Sequence, residues 1–241
     1  MPAPTRAGLT AALQQYGLSL RGGWIPTAQD ALPTLPQGHM AAVVWMVGVV
    51  GSDMWPHFKA SPFYQDGLPD PLDRWSAHLG HTLAAQYGGV ALFPFDGPPY
   101  HPFQQWADRS EPTEPSPLML RIHPQHGLWH AYRFALALPE LDPADAQVLQ
   151  AQAHGRASVG VGQSSLCAQC SGQPCLQACP VQAFTGTQYR IEACAAHLHA
   201  HLEGDCMQQG CLARRACPVG TASRYMQEHA AFHMQAFVKN H

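Results

Sequence analysis

The sequence predicts an α+β chain in two parts, and three observations carry that expectation. All eight cysteines lie between Cys167 and Cys217, and the first 166 residues have none. Ahead of them, apolar residues recur alternately at helix and strand spacing, the pattern of a mixed core. Between the two regions Gly155, Gly160 and Gly162 cluster, which places a core domain at 1–155 and a cysteine-rich domain at 156–241. A chain of 241 residues accommodates one large domain or two small ones.

The elements follow in order. Thr5 to Gly17 reads as a helix with Leu9, Leu13 and Tyr16 on one face and Gly17 as its stop. Met40 to Val50 reads as a buried strand. Asp70 to Tyr87 reads as a second helix, with Asp70 at the N-cap and Pro71 at the first helical position. Leu72, Trp75, Leu79, Leu83 and Tyr87 recur along it at helical spacing. Val90 to Phe95 is a strand. Glu111 to Pro117 carries three prolines in seven residues and reads as a rigid loop. Leu118 to His123 and Leu128 to Leu138 read as two strands of a hairpin turned at Pro124-Gln125-His126-Gly127. Pro143 to His154 is helical, and Ala222 to Phe237 forms a closing helix.

Composition narrows the function. A net charge of −3 with 12% charged residues argues against nucleic acid as a partner, because that would call for a basic patch or stripe. The longest apolar run, Met40 to Val50, is too short to span a bilayer, so no membrane partner is expected. The opening Met1-Pro2-Ala3-Pro4 lacks the basic and apolar regions of a secretory signal, so the expected location is cytoplasmic. Of the 15 histidines, several fall late, at His197, His199, His201, His229, His233 and His241. These read as a neutral surface population rather than as ligands.

The cysteines are the chemical signal. The first run is Cys167-x2-Cys170-x4-Cys175-x3-Cys179-Pro180; the second is Cys206-x4-Cys211-x5-Cys217-Pro218, with Cys194 between them. Eight thiolates are what two cubane [4Fe–4S] clusters require. The first run resembles that of the bacterial two-cluster ferredoxins, C-x2-C-x2-C-x3-C-P, with two more residues in its middle loop. In those proteins the last cysteine of a run ligates the other cluster. Carried over, that rule gives Cys167, Cys170, Cys175 and Cys217 to one cluster, and Cys179, Cys194, Cys206 and Cys211 to the other. The placing of Cys194 resembles the ferredoxin segment of epoxyqueuosine reductases. Structural zinc, which C-x2-C pairs also bind, the loss of one cluster, and disulfides, which a reducing compartment disfavours, are the competing readings.

Part of the core resembles a second family. The stretch Ile122-His123-Pro124-Gln125-His126-Gly127-Leu128-Trp129-His130-Ala131-Tyr132-Arg133 resembles the His-Pro-x-x-Gly-x-Trp-x-Ala-x-Arg segment of the cobalamin-processing protein CblC. Upstream, the strand at Met40–Val50 and Asp70-Pro71-Leu72-Asp73-Arg74 follow that family's order, so the resemblance covers roughly residues 38 to 138. CblC, epoxyqueuosine reductases and reductive dehalogenases have a nitroreductase-like core that holds a corrinoid, and the last two add a two-cluster segment after it. The resemblance therefore implies a nitroreductase-like, CblC-like core followed by a ferredoxin-like 2[4Fe–4S] domain. It also implies cobalamin contacts at Asp70, Asp73, His123, Gly127, Trp129 and Arg133. Trp55-Pro56, Phe93 to Tyr100 and His126 to Trp129 are loops able to wall a corrin pocket. Arg133, a charge within an apolar strand, needs a partner, either Asp70 or Asp73 or a ligand group.

The chain departs from both reductase families. It lacks the Asp-Thr-Gly-Pro-Val-type stretch that carries the catalytic Asp of epoxyqueuosine reductases, and the twin-arginine opening of reductive dehalogenases. The resulting expectation is an oxidoreductase that passes electrons from two [4Fe–4S] clusters to the cobalt of a bound corrinoid. That serves either B12 processing or reduction of a small molecule, with a low-potential donor of ferredoxin or flavodoxin type. The alternatives are a ferredoxin-type electron carrier without corrinoid and a flavin-dependent reductase.

Overall fold

The computed structural model describes residues 5–158 and 166–241. Its elements, in order, are α1 (Arg6–Gln14), β1 (Ser19–Trp24), β2 (Val43–Val50), α2 (Trp55–Lys59), α3 (Pro62–Gln65), α4 (Pro71–Gln86), β3 (Val90–Leu92), α5 (Phe103–Ser110), β4 (Glu114–Pro115), β5 (Arg121–Ile122), β6 (His130–Leu138) and α6 (Pro143–Ser158). The cysteine-rich part adds α7 (Pro174–Gln177), α8 (Ile191–Ala200), α9 (Asp205–Gln209), α10 (Leu212–Arg215) and α11 (Gln227–Asn240). The fold is mixed α+β with a small antiparallel sheet. Among the described residues no helix is long and apolar enough to cross a membrane.

The chain divides into two compact units. Met1–Glu111 and Ala131–Gln163 make one; Pro112–His130 and Ser164–His241 make the other. This differs from a single cut at residue 155. Helix α6 runs through that position, and the excursion 112–130 leaves the first unit to become part of the second.

The first unit is built on a four-stranded sheet in the order β1-β2-β6-β3. β1 pairs antiparallel with β2, and β3 with β6. The Ala42 amide donates to the Leu138 carbonyl at 2.8 Å, while Gly48 lies against the Ala131 carbonyl. The central pair β2–β6 is thus antiparallel as well. Nearly all of β2 is buried, so both of its faces are covered, as alternation of side chains requires. Val44 and Met46 pack with Trp24, Leu92, Trp106 and Ala135. Helix α4 buries Leu72, Trp75, Leu79 and Leu83, the positions its spacing marks, and Gly80 lets the Phe93 ring approach closely.

Two local expectations are corrected. Asp70 precedes α4, but in a left-handed conformation (φ 51°), and its side chain bonds no amide of the helix. Pro71 bars the right-handed region to the residue before it, and Asp tolerates the left-handed one. The hairpin is also different. The turn at 124–127 is present, with His123 and Gly127 exchanging backbone bonds of 2.9 and 2.8 Å. Beyond it the strands part: β5 pairs with β4, inside the proline-rich stretch read as loop, and β6 enters the large sheet.

A buried polar network stands where the chain leaves and re-enters the first unit. Arg21 on β1 meets the Glu111 carboxylate at 2.8 Å, and the Tyr132 hydroxyl donates to the same carboxylate oxygen at 2.8 Å. Burial, then the Glu111 charge, pushes the Tyr132 phenol far above its ordinary range, so it stays a donor at any physiological pH. Removing the carboxylate strands a guanidinium that is 3% exposed. Glu111→Ala is expected to lower unfolding free energy by about 3–5 kcal/mol, read as a fall in the urea midpoint at unchanged slope.

Candidate metal centres

The eight cysteines all lie in the second unit, and they line two separate cavities. Cys167, Cys170, Cys175 and Cys217 line one. Cys179, Cys194, Cys206 and Cys211 line the other. These are the sets that the crossed-ligand rule groups. Each draws three cysteines from neighbouring stretches of chain and one from the far run.

Local sequence explains how each thiol arrives. Cys167 and Cys170 are the two ends of one turn, closed by the Cys170 amide donating to the Cys167 carbonyl at 3.3 Å. The two extra residues of the first run extend the turn ahead of α7. That helix starts at Pro174, whose fixed φ and missing N–H suit a first helical position, and it carries Cys175. Cys194 lies on α8, Cys206 on α9, and Cys211 immediately before α10. Because α10 is only four residues long, Cys211 and Cys217 bracket it and face different cavities. The Ala183 amide donates to Cys179 Sγ at 3.3 Å.

The surroundings raise four of these thiols above their ordinary range, Cys167, Cys175, Cys194 and Cys211. Burial first, then the neighbouring Cys217, Cys175 and Cys170, push Cys167 up to about 11. Burial, then Cys206 and Cys194, do the same to Cys211 against the pull of nearby backbone amides. Cys175 and Cys194 are raised for the same leading reason. Four adjacent thiolates cannot coexist in such a cavity unless a cationic group neutralises them. Among the described residues no three His, Cys, Asp or Glu side chains are set for a single metal ion. A zinc ion would draw its sulfurs to about 2.3 Å. In a cubane cluster each cysteine binds a different corner, so a void remains between the four sulfurs. The donor sets and the cavities fit two such clusters.

The sequence reading missed the residues that wall these cavities. Pro117 and Ile122, from the excursion 112–130, line the first. Phe184, His197 and Met234 line the second. The excursion is locked on by two glycines. Gly127 (φ 56°) would bring a Cβ within 2.0 Å of the Val219 carbonyl, and Gly220 (φ 70°) within 2.1 Å of the His126 carbonyl carbon. Only glycine fits a left-handed position packed backbone to backbone. Nearby, the Arg214 guanidinium lies 4.7 Å from the Trp129 ring centre and 4.3 Å from that of Tyr225, and it donates to the Leu128 carbonyl.

The six residues proposed for corrinoid contact all have protein partners or backbone roles. His123 Nδ1 accepts from the Gln125 and His126 amides at 3.1 and 3.3 Å, closing the turn. Gly127 makes the close approach just described, and Trp129 is buried beneath Arg214. These three belong to the cysteine-bearing unit. In the first unit, Arg133 pairs with Asp73 at 2.6 Å and donates to Ser76 Oγ at 3.1 Å; Asp70 is exposed ahead of α4. Trp55 and Phe93, read as pocket walls, are core side chains: Trp55 packs on Phe58 and Tyr64, and Phe93 stacks on Phe95. His229, read as surface, is fully buried, with its Nε2 3.0 Å from that of His233.

No family profile and no curated protein matches the chain.

Two outcomes test the centres. Iron and sulfide analysis of Cys217→Ala should show half the wild-type content, with the residual spectrum of Cys167→Ala rather than that of Cys211→Ala. A residual spectrum shared with Cys211→Ala would refute the grouping. In the metal-free protein, Cys167 and Cys211 hold their protons more tightly folded than unfolded. The stability they contribute is complete below about pH 9 and is lost as pH rises through about 11. Thermal melts of the metal-free protein should fall across that window, and those of the iron-loaded protein should not.

Proposed function

We propose that the chain is an iron–sulfur electron-transfer protein holding two [4Fe–4S] clusters in a reducing cytoplasm. The observation that carries this reading is the division of the eight cysteines into two sets of four around two separate cavities. A bound [4Fe–4S] cluster supplies reversible one-electron chemistry. The protein's part is to fix four sulfurs and exclude water. Pro117, Ile122 and Val219 do the latter at the first site, and Phe184, Leu198 and Met234 at the second. Apolar walls favour the lower-charge oxidised state and so a low potential, which suits a donor of ferredoxin or flavodoxin type.

The acceptor we propose is a corrinoid, which takes one electron at cobalt. Support for it comes from sequence: the resemblance of residues 38 to 138 to the CblC family, in the same order of motifs and ahead of the cysteine segment. An electron carrier without corrinoid is the competing reading. The protein partners of His123 and Arg133 favour it; the Trp129 ring packs on Arg214, while its buried indole N–H has no hydrogen-bond partner among the described residues.

Anaerobic reconstitution followed by iron and sulfide analysis and low-temperature EPR tests the first statement. Eight iron and eight sulfide per chain are expected; zinc in their place would overturn it. Titration of the loaded protein with cob(II)alamin, followed by visible spectroscopy, tests the second. A saturable shift to a base-off spectrum supports the corrinoid, and an unchanged spectrum at high micromolar cobalamin leaves the carrier alone.

A further inference from the structure

The first cysteine site opens toward the surface beside an uncharged, apolar hairpin tip. Of its four cysteines only Cys217 is buried, and Cys167, Cys170 and Cys175 are half-buried; at the second site Cys179 and Cys206 are both buried. Between the half-buried three, Ala168, Gln169, Ser171 and Gly172 are exposed.

The tip of the β4–β5 hairpin adjoins this turn. Leu118 is buried in one group with Leu166, Cys167, Cys175 and Cys217, and Pro117 and Ile122 line the cavity itself. The two residues after Leu118 are exposed instead, Met119 by 48% and Leu120 by 43%. The tip is fixed: the Met119 amide donates to the Ser116 carbonyl at 3.0 Å, and the Ser116 amide to the Leu120 carbonyl at 2.9 Å. Met119 holds a left-handed backbone (φ 59°), which asparagine or glycine adopts more readily. Strain is thus kept at a position whose side chain is displayed and apolar, a pairing that points to a use for the side chain.

Charge is missing from the same stretches. No Asp, Glu, Lys or Arg occurs between Arg156 and Arg190, or from Pro115 to Leu120. The nearest along the hairpin are half-buried at its base: Glu114 accepts the Leu166 amide at 3.1 Å, and Arg121 donates to the Thr113 carbonyl at 3.3 Å. The elements of the second site carry charge, with Glu192 on α8 and Asp205, at the start of α9, paired with Arg215.

Resting on the two-cluster reading, we propose that the first site is the port for electrons. Its turn 167–175, with Met119 and Leu120, docks a carrier protein whose own redox centre is rimmed by uncharged, apolar side chains. An acidic or basic rim would lose hydration here and meet no opposite charge in return. A small apolar patch suits the brief encounter of electron carriers rather than a lasting complex. At each encounter the carrier loses one electron and the site gains it, with no bond formed or broken.

The test is stopped-flow reduction of the iron-loaded protein at low ionic strength by three viologen radicals. Methyl and benzyl viologen radicals are cations; the sulfonatopropyl analogue is an anion. Benzyl viologen, more apolar but the weaker reductant, should reduce the wild type faster than methyl viologen. Met119→Asn/Leu120→Ser should remove that advantage with iron content and urea midpoint unchanged, since asparagine suits the left-handed position. Met119→Lys should speed the anion and slow the methyl cation several-fold, and high salt should cancel both changes. Leu202→Lys should do neither. Leu202 is also exposed and follows α8, whose Leu198 lines the second cavity. With eight iron per chain, no advantage for benzyl viologen, or no steering by Met119→Lys, overturns the port alone. Fewer than eight iron in the wild type overturns the two-cluster reading and the port with it.

Discussion

The cysteine-bearing unit is governed by one electrostatic constraint. It places two sets of four thiols in apolar surroundings, where burial and mutual repulsion push Cys167 and Cys211 well above the ordinary thiol range. Its apolar side chains are arranged around those sulfurs. Leu118, Ile122, Leu128, Ala183 and Ala213 pack with Cys179 and Cys217, and a second small group gathers Leu198, Met207 and Cys206. The helices α7, α9 and α10 are four or five residues long, too short to hold themselves by propagation of backbone bonds. Such a unit is completed by whatever fills its cavities. Filling them with a cationic cluster converts the repulsion into bonding, so binding free energy becomes folding free energy.

The same constraint explains the path of the chain. A segment of 78 residues, Ser164–His241, with eight cysteines has little apolar surface of its own to wall two cavities. The excursion 112–130 supplies what is lacking: Pro117, Leu118, Ile122 and Leu128 enter the unit from elsewhere in the sequence. It is held there by the paired glycines Gly127 and Gly220 and by Arg214 between Trp129 and Tyr225. In the sheet-bearing unit, its two ends are joined by the bond from Tyr132 to Glu111 under Arg21. A short polar bridge at the base of a loop offsets the entropy that closing the loop costs. It also keeps the register of β6 fixed as the chain returns to the sheet.

What the sequence revealed follows from how local each cause is. Helices α1 and α4, strand β2 and the grouping of the cysteines were legible because each rests on spacing within a few residues or on paired runs. The partner of a strand is not local. A period-two pattern marks Leu118–His123 as extended but is silent on whether it pairs forward with β6 or backward with Glu114–Pro115. The proline-rich stretch concealed the second choice because proline is tolerated at a sheet edge. The walls of the cavities were hidden for a related reason. Ile122 and Phe184 resemble any core residues until the fold brings them to the sulfurs.

The segment from His123 to Trp129 shows how a motif can be accounted for by the turn it builds. His123 accepts two amides of the turn, Pro124 fixes its first dihedral, Gly127 takes the left-handed residue pressed against Val219, and Trp129 seats the guanidinium of Arg214. The spacing His-Pro-x-x-Gly-x-Trp is therefore demanded by packing at the wall of a cysteine cavity. Leu128 adds to this: its carbonyl receives Arg214, which lies between Cys211 of one set and Cys217 of the other. Of the residues that the corrinoid resemblance singles out, His123, Gly127 and Trp129 thus serve the packing of the cysteine-bearing unit. A cofactor partner for the chain has to be argued from binding chemistry rather than from the motif.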